Sequence, residues 1–214
     1  MTPAIRLAVK DDAAAVAGIY GPFCESTAVS FEYVPPSTEE IANRIRTITA
    51  QFPWLVLDDN GVVAGYAYAT RHRERAAYGW SADTAVYVSP IHRRCGVGRA
   101  LYTALCQLLR LQGCFKAYAG ITLPNSASIG LHEAIGFTLV GVYLGVGYKH
   151  GVWHDVAWYQ IALQPERLNP DPPVPVSTLA ESPGWAEAVS QGLRHYRRPV
   201  PPDTVAAGGL SRGR

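Results

Sequence analysis

Between residues 83 and 113 the chain commits itself to a strand that turns sharply into a helix. In "DTAVYV" Val86 and Val88 share one face of a strand pattern, which stops at Pro90. The turn reads "RRCGVG", and beyond it Leu101, Leu105, Leu108 and Leu109 mark one face of a helix over 98–112 that Gly113 ends. Such a unit is stable only when the helix lies on a sheet. The flanking patterns supply one. "IRLAV" reads as a strand and "DDAAAVAGIY" as a helix opened by Asp11 or Asp12. "STEEIANRIRTITA" is a helix whose Ser37 and Glu40 are spaced as a capping box. "WLVL" and "VVAGYAYAT" form a hairpin turning at Asn60-Gly61. "FKAYAGITL" is a strand, "PNSASIGLHEAI" a short helix capped by Asn125 and closed by Gly136, and "FTLVGVYL" and "HDVAWYQIAL" are final strands. Strands and helices mix without strict alternation, which predicts an α+β fold built on one mixed sheet.

The turn itself asks for an anion. Glycine admits a ligand close to the backbone, and a helix start offers unpaired N–H groups and a positive dipole end. Arg93, Arg94 and Arg99 add charge, which suits a diphosphate. No Gly-Lys-Ser/Thr follows, as a P-loop requires, and the third glycine and distal acid of a dinucleotide fingerprint are missing. Coenzyme A is the remaining common diphosphate ligand.

"VYVSPIHRRCGVGRALY" resembles the strand and pyrophosphate loop of GNAT-superfamily N-acetyltransferases, with Arg93, Gly96 and Gly98 in the loop pattern. "RAAYGW", "LPN", "LHEAIGF" and "YKHGVWHDVAWYQ" are similar to the phosphinothricin N-acetyltransferase family within it, and the likeness runs over residues 4–164. It implies the GNAT fold: a mixed central sheet with a splayed parallel strand pair, flanked by helices. It implies acetyl-CoA as co-substrate, with backbone contacts at Val86, Tyr87 and Val88, phosphate contacts at Arg94, Gly96, Val97, Gly98 and Arg99, and a further contact at Asn125.

The family's general base is a glutamate three residues before "VYV", where this chain has Asp83, one methylene shorter. A bridging water would restore its reach, or Asp83 holds structure only. His132 matches the family's active-site histidine. Imidazole titrates near neutrality, so either the amine's or the thiolate's proton is within its range. Arg75 and Tyr78 match the family's arginine and tyrosine before the active strand, and Phe31 the aromatic wall of the acceptor pocket; Trp153 is placed near that pocket or packs. The implied acceptor is a small amine bearing a carboxylate, such as phosphinothricin, methionine sulfone or methionine sulfoximine. Another small amino acid or a polyamine is an alternative acceptor, and the loop "RHRERAAYGW", with Arg71, Arg73 and Arg75, disfavours the polyamine because like charges repel. A catalytically weak acetyl-CoA-binding module is the non-enzyme alternative. Neither a metal nor a covalent nucleophile is required, and the family suggests a homodimer.

Composition bounds the rest. A net charge of +2 is too mild to imply nucleic acid, and no apolar run reaches the roughly 18 residues of a membrane span. "MTPAIRLAVKDD" holds no hydrophobic segment of signal-peptide length, and four cysteines lack metal-ligand spacing. A cytoplasmic protein with free thiols is expected. After Gln164 the chain turns proline-rich, so residues 1–164 are expected to form the acetyltransferase domain and 165–214 a mostly disordered tail, in which "WAEAVSQGLRHY" offers a short helix.

Overall fold

A computed structural model describes residues 2–180 and 182–199. Strands β1 (Ala4–Leu7), β2 (Trp54–Asp59), β3 (Val62–Arg71), β4 (Ser81–Val88), β5 (Lys116–Thr122), β6 (Thr138–Lys149) and β7 (Val152–Ala162) form one sheet in the order β1-β2-β3-β4-β5-β7-β6. Neighbours are antiparallel except β4 and β5. That parallel pair holds together over three rungs only, ending at Asp83↔Tyr118. From Thr84 onward the two strands part.

Helix α3 (Val97–Gln112) covers one face. Leu101, Leu105, Leu108 and Leu109 are fully buried there against Ala82, Ala117 and Ala119. Helices α1 (Ala13–Ser26) and α2 (Thr38–Thr49) cover the first strands on the other face, where Val16, Ile41 and Ile45 pack on Trp54, Val56 and Tyr66. Local chemistry sets the ends of these elements. Ser37 accepts from the Glu40 N–H, and Asn60 and Gly61 both take positive φ in the β2–β3 turn. Asp12 precedes α1 but does not cap it; its carboxylate takes the Arg6 guanidinium at 2.7 Å and the Val9 N–H at 2.8 Å.

The disordered tail expected after Gln164 is corrected over 165–180 and 182–199. The proline-rich run cannot make a ladder, but its backbone finds partners on the domain. Gln112 Nε2 donates to the carbonyls of Gln51 and Val174, and Trp80 Nε1 donates to that of Asp171. Helix α5 (Pro183–Leu193), capped by Ser182, then lies on α3 and β1 and buries Ala188 and Gly192. Tyr196 is buried with its hydroxyl on Asp59 at 3.0 Å, and Arg198 pairs with Asp59 at 2.6 Å. The apolar residues at 185, 188, 189, 193 and 196 have helical spacing, so α5 has a face to bury. Residues 200–214 lie outside the described residues.

Candidate active site in the strand gap

Where β4 and β5 diverge, a cleft of about 550 Å³ opens between β4, the turn before α3 and helix α4 (Ser126–Ile135). Val86, Tyr87 and Val88 form one wall, Asn125, Ser128 and Leu131 the other, and Arg93, Arg94, Gly96, Val97, Gly98 and Arg99 its end. A smaller recess between the strands continues it to Thr84, Gly120, Tyr102 and His132. The turn is shaped for an anion. Arg94 and Gly96 both have positive φ, and Gly96, as N-cap of α3, has no side-chain oxygen to offer the first-turn N–H groups. Gly98 serves packing as well as ligand access, since a Cβ there would meet Leu131 Cδ2 at 2.9 Å. Asn125 caps α4 by accepting from the Ser128 N–H at 3.1 Å and also lines the cleft.

Strand alternation divides the other candidates between two faces. Ala82 and Thr84 turn toward α3, so Asp83 turns to the opposite face, as does its rung partner Tyr118. Asp83 Oδ1 lies 2.6 Å from His72 Nδ1, and Arg73 is 3.9 Å from Oδ2. Burial raises the Asp83 carboxyl above its ordinary range, while the His72 contact pulls it down. Tyr78 stands edge-on to His72 at 5.8 Å. Arg75 is exposed at the head of the same loop.

Phe31 lies over Gly147, where a Cβ would sit 2.2 Å from its ring, and 6.3 Å from the His154 ring. Trp153, next to His154 on β7, therefore projects to the other face, where it packs on Tyr148 at 5.2 Å. The structure thus separates Trp153 from Phe31.

His132 lines the inner end of the recess and is itself buried. Its Nδ1 meets the Ser128 carbonyl at 2.7 Å and its Nε2 the Tyr102 hydroxyl at 2.9 Å. A carbonyl can only accept, so Nδ1 carries the proton and Tyr102 donates to Nε2. Burial pushes the imidazole below its usual value, which keeps it neutral near pH 7.

Two residues were missed in the sequence. His72 follows the β3 strand, and the β3–β4 pairing Thr70↔Asp83 brings it to Asp83; counting that register would have found it. Lys149 is almost wholly buried, and its Nζ donates to the carbonyls of Cys24, Ser30 and Glu32 at 2.6–2.8 Å. It ties down the loop that carries Phe31. A lysine in a strand pattern gives no sign of such a role.

Comparison with known proteins gives the same outline. The family described as the Acetyltransferase (GNAT) domain matches residues 5–158. The chain is 40% identical over 177 residues to phosphinothricin N-acetyltransferase of Streptomyces viridochromogenes, covering 83% of this chain and 94% of that one. It is 36% identical over 171 residues to the L-methionine sulfoximine/L-methionine sulfone acetyltransferase of Salmonella typhimurium, covering 78% and 98%. It superposes with a TM-score of 0.74 and 37% identity on phosphinothricin acetyltransferase (Pat) from Sinorhizobium meliloti, solved in complex with AcCoA, over 80% of this chain and 94% of that one.

Proposed function

We propose that this chain, which belongs to the GNAT acetyltransferase family and is an N-acetyltransferase, moves the acetyl group of acetyl-CoA to the amine of a small amino-acid-like acceptor such as phosphinothricin or methionine sulfone or sulfoximine. One observation carries this reading: two parallel strands part directly beside a helix whose glycine-opened N-terminus lacks a side-chain cap.

The acetyl-CoA diphosphate belongs at the first turn of α3, held by the N–H groups of Val97, Gly98 and Arg99 and by Arg93 and Arg94. The pantetheine adds to the edge of β4 that β5 leaves free at Val86, Tyr87 and Val88, with Asn125 opposite. Acetyl-CoA supplies an activated thioester carbonyl in the recess. The acceptor enters from the opposite face, between Phe31 and Tyr78, with Arg75 for its carboxylate. An ammonium cannot attack, so a base must first take its proton, and Asp83 supplies the negative charge for that step. The leaving thiolate takes the excess proton of the acylated nitrogen in the recess, whose wall includes Tyr102 and the His132 that accepts from it.

Trp153 drops out of the acceptor wall on the parity of β7. We also place a homodimer contact on β6, a long edge strand that exposes Leu139, Val142, Leu144 and Val146. The four free thiols support a reducing compartment, the cytoplasm.

The test is release of free CoA from acetyl-CoA with phosphinothricin, methionine sulfone, methionine sulfoximine, unmodified amino acids and a polyamine. Turnover restricted to carboxylate-bearing amines supports the reading. Tight acetyl-CoA binding with no turnover on any of them overturns it in favour of a binding module.

A further inference from the structure

We propose that His72 is the group that takes the proton from the acceptor amine, and that Asp83 is a positioning residue acting through it; the assignment rests on the acetyl-transfer reading above. The geometry is that of a carboxylate–imidazole dyad. Asp83 Oδ1 and His72 Nδ1 are 2.6 Å apart, so the near side of the carboxylate is already engaged. With Nδ1–H donated to Asp83, the lone pair of the imidazole lies on Nε2, which has no hydrogen-bond partner among the described residues. The ring cannot swing away. It lies flat on Tyr118 at 4.4 Å and 19°, with Tyr78 at 5.8 Å and Trp158 at 6.4 Å against its edges.

The place in the sheet is the right one. Asp83 and Tyr118 form the last rung before β4 and β5 part, so the dyad stands at the mouth of the gap that would hold the thioester. It stands on the open face, with Trp158 of β7 alongside, and not on the face covered by α3. The imidazole also supplies reach. An aspartate is a methylene shorter than a glutamate, and the ring interposed at 2.6 Å extends the base beyond what that methylene would have given. The titratable and charged groups facing His72 are Asp83 from β4, Arg73 from the loop after β3, Tyr78 from the following turn and Tyr118 from β5.

The step balances as follows. An N–H bond of the ammonium breaks and its proton passes to Nε2. The freed electron pair forms the N–C bond to the thioester carbonyl and the C–S bond breaks. The remaining excess proton on nitrogen leaves with the thiolate as CoA–SH, and the imidazolium returns its proton to water.

The test compares His72→Gln, Asp83→Asn and the double variant on the best wild-type acceptor, across pH 6 to 9. Glutamine preserves a hydrogen bond to Asp83 but accepts no proton. His72→Gln should lose roughly 10²-fold or more in kcat, keep its acetyl-CoA Kd, and recover toward high pH, where more of the amine is already neutral. The double variant should be no slower than His72→Gln, because the two residues act as one unit. Asp83→Asn alone should be slowed less than His72→Gln, since the imidazole still accepts the proton once its orienting carboxylate is neutralised, and Asp83→Glu, which keeps a carboxylate, should recover most of the rate. His72→Gln within threefold of wild type, or Asp83→Asn slower than His72→Gln, would overturn the assignment and make Asp83 the direct base. Absence of any wild-type turnover overturns the acetyl-transfer reading and this one with it.

Discussion

Replacing Gly192 by alanine separates a docked C-terminal helix from one that only lies nearby. Gly192 sits in the last turn of α5, and a Cβ there would lie 2.5 Å from the Ala100 carbonyl oxygen, 3.0 Å from Ile5 Cδ1 and 3.1 Å from Ala104 Cβ. The oxygen belongs to the backbone of α3 and cannot step aside, so α5 must move. By local preference alone the change should help, because alanine is favoured over glycine inside a helix by about 1 kcal/mol. Overpacking costs about 1–3 kcal/mol, and a backbone neighbour puts this contact in the upper part of that range. The net loss is then roughly 1–2 kcal/mol, which lowers Tm by about 2–8 °C for a chain of this length. Gly18→Ala in α1 is the control: nothing lies within 4 Å of its added Cβ, so it should raise Tm.

The displacement should also reach the cofactor loop. The His195 carbonyl oxygen lies 1.9 Å from where a Cβ on Gly96 would be, and the Arg197 N–H donates to the Cys95 carbonyl at 2.9 Å. Gly192→Ala should therefore weaken acetyl-CoA binding by calorimetry as well as lower Tm. An unchanged or higher Tm with an unchanged Kd would show that α5 is not seated on α3, and cutting the chain after Gln164 should then be silent too.

Three further outcomes follow from single contacts. Lys149→Met leaves the carbonyls of Cys24, Ser30 and Glu32 without their donor, at about 1–3 kcal/mol for each that stays dry; Tm should fall, and KM should rise more for the acceptor than for acetyl-CoA, because Phe31 rides on that loop. Gly98→Asp sets a carboxylate beside the diphosphate and should weaken CoA binding at least tenfold relative to Gly98→Ala, which meets Leu131 in the same way without the charge. His132 binds its proton less readily folded than unfolded, so stability should be intact above about pH 6.5 and fall as the pH drops below it; His195 shifts in the same direction, so the measure is the flattening of the denaturant-midpoint slope between pH 7.5 and 5.5 in His132→Asn.

What could be read in the chain beforehand was what is local. The caps at Ser37 and Asn125, the Asn60-Gly61 turn and the strand–glycine–helix unit each depend on a few adjacent residues, and each is in the structure. What could not be read depends on pairs far apart. A short helix could be read around "WAEAVSQGLRHY", but its docking could not, because that needs the missing side chain of Gly192 against Ala100, and because the proline-rich run before it is ordered by Gln112, a residue of another helix. Lys149 looks like an edge-strand charge until the loop 117–125 residues earlier in the chain folds over it.

The two candidate histidines show why motif position and chemical role come apart. His132 stands in the motif, yet both its nitrogens are engaged by Ser128 and Tyr102, inside the face that α3 covers. His72 stands in no quoted motif beyond a run of charge, yet alternation along β4 puts Asp83 on the open face and the hairpin register brings His72 to it. In the proposed reaction a residue that touches acetyl-CoA belongs to the first face, and one that touches the amine to the second. On that reading the acetyl group passes between them through the gap above Asp83↔Tyr118, and a base for the amine is sought beside that rung.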